Sequence, residues 1–344
     1  MVRIAPKAPQ SETANPKDNA PTCSADPLPA QTTDFPDSNP GRGDVFRRRH
    51  ARGHLAAREQ RTTLSKGIKP KAATPPQGPT QVFPVNAGIA GIWVWDSNAL
   101  SQPRESIAAA RSAGANTLFV NPYPLSPESQ ARVVEFARLA RGEGIELQCL
   151  LGNPDWSEIA RRPWLRDNVV GPLQRLATAN QDLGIAAPMV VHLDVEPHLT
   201  GSMTEQRARD FVAMLVWLKK ELAPLVQIEA DVPIWYAEIA LDGQSLAGRI
   251  LDEADGVTLM AHERNAERII RETTPWLCAA ASRGKKVNVA IEAGVNNEQL
   301  KTESRRELAD VLSELQNAFV TSEFRSAWGG LAVHSLKQVQ NLKP

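Results

Sequence analysis

From residue 89 onward, short β-rich apolar runs alternate with longer segments whose apolar residues recur every three to four positions. That alternation predicts parallel strands joined by crossover helices. The runs fall at 89–95, 116–121, 145–151, 189–196, 226–231, 256–261, 287–292 and 330–334, which predicts eight strands. The segments between them carry helix punctuation. Ser126 before Pro127 predicts a helix start, because proline at the first helical position gives up an N–H that has no partner there anyway. Ser202-Met203-Thr204-Glu205 has capping-box spacing, and Ala208, Phe211, Val212, Leu215, Leu218 and Leu222 share one face after it. Gly114, Gly144, Gly184 and Gly284 each stand shortly before a strand, where a left-handed turn ends a helix. Eight such units fit an α/β fold of the (β/α)8 TIM-barrel type, about 250 residues in size. An open doubly wound sheet is the alternative. No Gly-x-Gly-x-x-Gly or Walker loop follows an early strand, so no nucleotide cradle is visible and no cofactor is expected.

Composition divides the chain. Residues 1–80 hold 12 of the 26 prolines, 13 basic and 7 acidic residues, and few adjacent apolar ones. Such a stretch buries too little surface to offset its ordering entropy and is expected to be a disordered arm ahead of a barrel over 81–344. The whole chain has no net charge, but 81–344 carries 26 basic against 32 acidic residues. A net of −6 there argues against a nucleic-acid groove. No run is long and apolar enough for a membrane span, and the first residues lack the apolar stretch of a Sec signal. The three widely spaced cysteines imply neither a disulfide framework nor a zinc cluster.

In a barrel the chemistry sits at the carboxyl ends of the strands. Strand four ends His192-Leu193-Asp194-Val195-Glu196, and the two-residue side-chain period puts His192, Asp194 and Glu196 on one face. Ionisable groups aimed into a barrel are costly unless paired or functional. A satisfied buried ion pair is the structural alternative. Strand seven ends in Glu292, a second carboxylate at the same rim. Two carboxyl groups across a cleft suit glycosidic cleavage, one protonating the leaving oxygen and the other acting as nucleophile or base. Glu196 and Glu292 are that pair, with Asp194 in support. Trp95, Asn121, Tyr123, Asp231, Trp235, His262 and His334 fall at or just after other strand ends. With His192 and His198, they are expected to line a polar, aromatic cleft for a carbohydrate.

His192-Leu193-Asp194-Val195-Glu196 resembles the Asp-x-Asp-x-Glu strand of the chitinase-type glycoside hydrolases of family eighteen, with His192 in place of the first aspartate. Leu259-Met260-Ala261-His262-Glu263 is similar to their Met-x-Tyr-Asp, with His262 for the tyrosine. Gly329-Gly330-Leu331-Ala332-Val333-His334 is similar to their last strand, with His334 for a tryptophan. The resemblance implies Glu196 as proton donor and Asp194 as its partner. In a different barrel clan the acid glutamate follows strand four and a nucleophilic glutamate ends strand seven, which resembles Glu196 and Glu292. The arm's composition, with Arg47-Arg48-Arg49-His50 and Arg52, Arg58 and Arg61 after a Pro/Ser/Thr-rich stretch, resembles bacterial type III effector leaders. That resemblance implies a bacterial protein, cytoplasmic or delivered without a Sec signal, with a secretion chaperone on the arm. A solvated tail with no partner is the other reading.

Two other functions fit the same residues. His192, Asp194, Glu196, His198, Asp231 and His262 are potential metal ligands of a hydrolase, although strand one reads Trp93-Val94-Trp95 where such barrels usually place histidines. A barrel that binds sugar without turning it over is the third reading, carried by the substitutions at His192, His262 and His334.

Overall fold

The computed structural model describes residues 89–184, 189–261, 265–294 and 304–342. The arm expected over 1–80 and the site candidate His262 lie outside them.

Among the described residues, eight strands build the barrel: β1 (Ile89–Val94), β2 (Thr117–Val120), β3 (Glu146–Leu151), β4 (Met189–Leu193), β5 (Val226–Pro233), β6 (Gly256–Met260), β7 (Lys286–Glu292) and β8 (Trp328–His334), with a short antiparallel pair, Ala240–Leu241 and Gln244–Ser245, outside it. β1 pairs in parallel with both β2 and β8, so the sheet closes in the order β1-β8-β7-β6-β5-β4-β3-β2. A helix follows each barrel strand: α1 (Pro103–Ser112), α2 (Pro127–Gly142), α3 (Gly171–Asp182), α4 (Glu205–Leu222), α5 (Leu246–Glu253), α6 (Ala266–Ala281), α7 (Arg305–Val320) and α8 (Leu336–Asn341). This is a (β/α)8 barrel, and the doubly wound alternative is excluded by its closure.

Local sequence accounts for the helix ends. Ser126 caps α2 by accepting from the Ser129 amide, with Pro127 at the first helical position. Gly114, Gly144, Gly184 and Gly284 all have positive φ between 61° and 73° at the turns into strands. The start of α4 differs by two residues from the capping-box reading. Thr204, not Ser202, is the cap and accepts from the Arg207 amide, while the Ser202 carbonyl accepts from the Thr204 amide and the Arg207 guanidinium in the turn before the helix.

The apolar residues separate into two cores. The outer one packs strand residues such as Val191, Ile228, Val257, Val289 and Leu331 against helix residues such as Phe136, Phe211, Trp276 and Phe319. The inner one, Trp93, Phe119, Leu150, Ala290 and Ala332, fills the barrel, with Trp95 packed on it. Trp93 and Phe119 meet edge to face with centroids 4.9 Å apart. This plug is the floor on which the polar residues of the mouth stand; truncating an aromatic of its kind costs about 3–5 kcal/mol. Among the described residues, no helix is long and apolar enough to cross a membrane.

Candidate active site

β4 stops at Leu193, three residues before the predicted end. The Asp194 amide still donates to the Leu151 carbonyl at 2.9 Å, but β3 ends at Leu151 and Pro197 opens a short 3-10 turn, so the ladder has no continuation. Asp194 and Glu196 therefore sit on an extended exit at the barrel mouth, and both are buried. Asp194 Oδ1 has no hydrogen-bond partner among the described residues. Burial first, then the charges of Glu196 and Asp231, pushes the Asp194 carboxyl well above the usual carboxylate range. The two carboxyl groups are thus near enough for the charge of Glu196 to act on Asp194.

The residues after Glu196 turn back on it. His198 Nε2 lies 3.6 Å from Glu196 Oε2, and His198 Nδ1 lies 2.9 Å from the Tyr236 hydroxyl. Tyr236 is completely buried in the short turn that follows β5. Burial, then the charges of Glu196 and Asp194, pushes its phenol well above the ordinary tyrosine value, so it remains a hydrogen-bond donor. Trp235 closes the group, its ring perpendicular to those of His198 and Tyr236.

One layer lower the barrel holds an ion pair. His192 Nδ1 is 2.8 Å from Asp231 Oδ1, and His192 Nε2 is 2.6 Å from Gln148 Oε1. His192 and Asp231 have no exposed surface, and the imidazole stacks on Phe119 with centroids 3.7 Å apart. Burial alone works against the imidazolium, but Asp231 and then Glu229 outweigh it, and the His192 pKa is raised. The hydrogen bonds agree with that charge. Gln148 spends its NH2 on Glu146, so its oxygen faces His192 and calls for an N–H on Nε2, while Asp231 calls for one on Nδ1. His192 and Asp231, both expected in contact with a ligand, are instead sealed beneath the mouth.

Across the barrel, β7 places Glu292 three strands away from β4. Gln338, on α8, donates to Glu292 Oε1 at 3.2 Å, and His334 Nδ1 lies 3.9 Å from the same oxygen. The Trp95 indole donates to His334 Nε2 at 2.9 Å. Trp93 lies under both halves, edge-on to His192 at 6.4 Å and to His334 at 6.1 Å between centroids. At the end of β2, the Asn121 side chain accepts from the Tyr123 amide, and Tyr123 is 39% exposed. Cys149, buried on β3, has its thiol pushed up to about 12 by burial, which keeps it out of nucleophilic chemistry. Among the described residues, no group of three or more His, Cys, Asp or Glu side chains is arranged to hold a metal ion.

The site is thus two groups over one floor: Asp194, Glu196, His198, Trp235 and Tyr236 on one side, and Trp95, Glu292, His334 and Gln338 on the other. Gln148, Gln338 and the part played by Tyr236 were not singled out from the sequence. Gln148 was discoverable, since Glu146 and Gln148 alternate with apolar residues along β3; Gln338 lies on a helix with no strand-end signal.

Solved structures similar to the chain include a GH18 chitinase from Pseudoalteromonas aurantia, 13% identical, with 74% of this chain and 100% of that one covered and a TM-score of 0.43. A spore cortex-lytic enzyme of Bacillus cereus is 12% identical, with 74% and 72% covered and a TM-score of 0.46. A D-psicose 3-epimerase from Clostridium cellulolyticum is 14% identical, with 69% and 98% covered and a TM-score of 0.40. The likeness is distant. No protein-family profile matches the chain, and no curated protein sequence does.

Proposed function

We propose that the chain is a glycoside hydrolase in which Glu196 is the general acid and Glu292 the second carboxylate. The observation that carries this reading is the buried pair at the mouth, where burial and the nearness of Glu196 push the Asp194 carboxyl well above the usual carboxylate range. Two carboxyl groups held together so that each opposes the other's charge are what protonation of a glycosidic oxygen requires. In this mechanism Glu196 carries the proton when the substrate binds, and Asp194 beside it opposes a second negative charge. Glu196 delivers it to the leaving oxygen as the bond from that oxygen to the anomeric carbon breaks, the bonding electrons going to oxygen. Glu292 meets the positive charge that develops on the sugar ring, either by attacking the anomeric carbon or by taking a proton from the attacking water. Trp95 and Trp235, one on each side of the mouth and each partly exposed, offer flat faces to a sugar ring.

Glu196→Gln tests this. It keeps the side chain's shape and removes the transferable proton, so hydrolysis of a glycoside panel is expected to fall by about 10²–10⁴-fold with the melting temperature unchanged. Turnover at the wild-type rate removes Glu196 from the mechanism.

A further inference from the structure

We propose that Tyr236 and His198 are positioning residues for Glu196: the Tyr236 hydroxyl donates to His198 Nδ1, which fixes the ring proton on Nε2 and aims that N–H at the Glu196 carboxyl. The inference rests on the reading of Glu196 as the general acid and adds to it a device for orienting and discharging that acid.

The hydrogen-bond inventory carries the first half. A phenol has one proton to give and lone pairs to receive with. Tyr236 is fully buried, so its proton must go to a protein atom, and His198 Nδ1 is 2.9 Å away. The backbone of His198 acts on the phenol as a donor would, lowering its pKa against the effect of burial, so the phenol's own proton is free for Nδ1. A neutral imidazole that accepts at Nδ1 carries its proton at Nε2.

Geometry carries the second half. Nε2 is the ring atom nearer Glu196, 3.6 Å from Oε2, a contact longer than a hydrogen bond and within ion-contact range. The ring cannot swing freely, since Trp235 and Tyr236 pack against it at 82° and 85° with centroids 5.4 and 5.8 Å away. The other charged groups near this assembly are Asp194 on the same strand exit, which interacts with Glu196, and behind it Asp231 on β5, which acts on Asp194 and is paired with His192. An N–H held toward Glu196 opposes them. It stabilises the carboxylate left after proton donation, so the acid releases its proton more readily than its acidic neighbours alone would allow.

The test joins a tautomer measurement with a pH profile, both on the full chain. Nitrogen-15 spectra of the histidine side chains are recorded for wild type, Tyr236→Phe and His198→Gln, the last of which also assigns the His198 signal. The pH dependence of kcat/KM on a responsive glycoside is measured for the same proteins. The expected result is an Nε2–H tautomer for His198 in wild type that is lost in Tyr236→Phe. The alkaline limb of the profile then moves to higher pH in that variant, with about a tenfold change in acid strength for each pH unit moved. His198→Gln, whose amide presents an N–H of similar reach, retains more activity than His198→Ala. An Nδ1–H tautomer in wild type, or a tautomer and profile unmoved by Tyr236→Phe, overturns the inference and leaves the assignment of Glu196 standing. An unimpaired Glu196→Gln variant overturns the functional reading, and with it the role given to this pair.

Discussion

A Cβ added to Gly152 would stand 1.8 Å from the backbone carbonyl oxygen of Asp194. The residue after β3 and the residue after β4 are in direct backbone contact, one step above the Leu151–Asp194 hydrogen bond. Only glycine allows this approach, and the approach sets where Asp194, and two residues later Glu196, enter the mouth. Gly152→Ala must push the exit of β4 outward, since backbone rather than a yielding side chain blocks the new methyl. Overpacking of this kind costs about 1–3 kcal/mol. A melting curve together with kcat/KM separates the two consequences: stability falls modestly, and activity falls further than the loss of folded protein explains. A variant that is destabilised but fully active per folded molecule would show that the placement of this exit is not critical.

The His192–Asp231 pair makes a prediction about pH that does not depend on any substrate. Burial lowers and the neighbouring carboxylates raise the His192 pKa, with a net rise above the ordinary histidine value. A group whose folded value is raised adds stability that is complete below its unfolded value, about pH 6.5, and is lost as pH climbs through the folded value. Asp231, raised chiefly by burial and partly offset by His192, slopes the same way, starting near the ordinary carboxylate range. The wild-type melting temperature is therefore expected to decline from pH 6 toward pH 9. His192→Gln strands a buried carboxyl group and should cost about 3–5 kcal/mol at pH 6. The gap between the two proteins should then narrow as pH rises. A gap that stays constant across this range would rule out His192 as the titrating group.

Why one part of this site was legible in the sequence and another was not follows from how far each feature reaches along the chain. Eight strands could be read because each is a local run, and His192, Asp194 and Glu196 could be placed on one face because a strand repeats every two residues. Asp231 shows where this reading slips. Ending strand five at residue 231 put that aspartate on the rim, but β5 continues to Pro233, and the extra pair of residues drops Asp231 by one layer, where it meets His192. The ring-to-ring and side-chain contacts lie beyond local pattern altogether. Tyr236 meets His198 across 38 positions, His192 meets Gln148 across 44, and Trp95 meets His334 across 239. What brings each of these partners together is the closure of the barrel, which no window of the sequence contains.

The far side of the mouth yields the remaining prediction. An indole N–H can only donate, so the Trp95 contact makes His334 Nε2 an acceptor and leaves the neutral ring's proton on Nδ1, the atom 3.9 Å from Glu292. Gln338 donates an N–H to the same Glu292 oxygen at 3.2 Å. In the proposed mechanism Glu292 is the second carboxylate, held from the α8 side by the Gln338 N–H. Glu292→Gln should therefore lower kcat by about 10²–10⁴-fold. Trp95→Phe, which keeps a ring and deletes the donor, should lower kcat by about tenfold with little change in melting temperature, because Trp95 is only partly buried. If Glu292 is the nucleophile, a small anion such as azide added to Glu292→Ala should restore turnover and give a glycosyl azide of inverted configuration. Wild-type kinetics in Glu292→Gln would remove this carboxylate from the reaction and leave the acid pair on β4 to work with water alone.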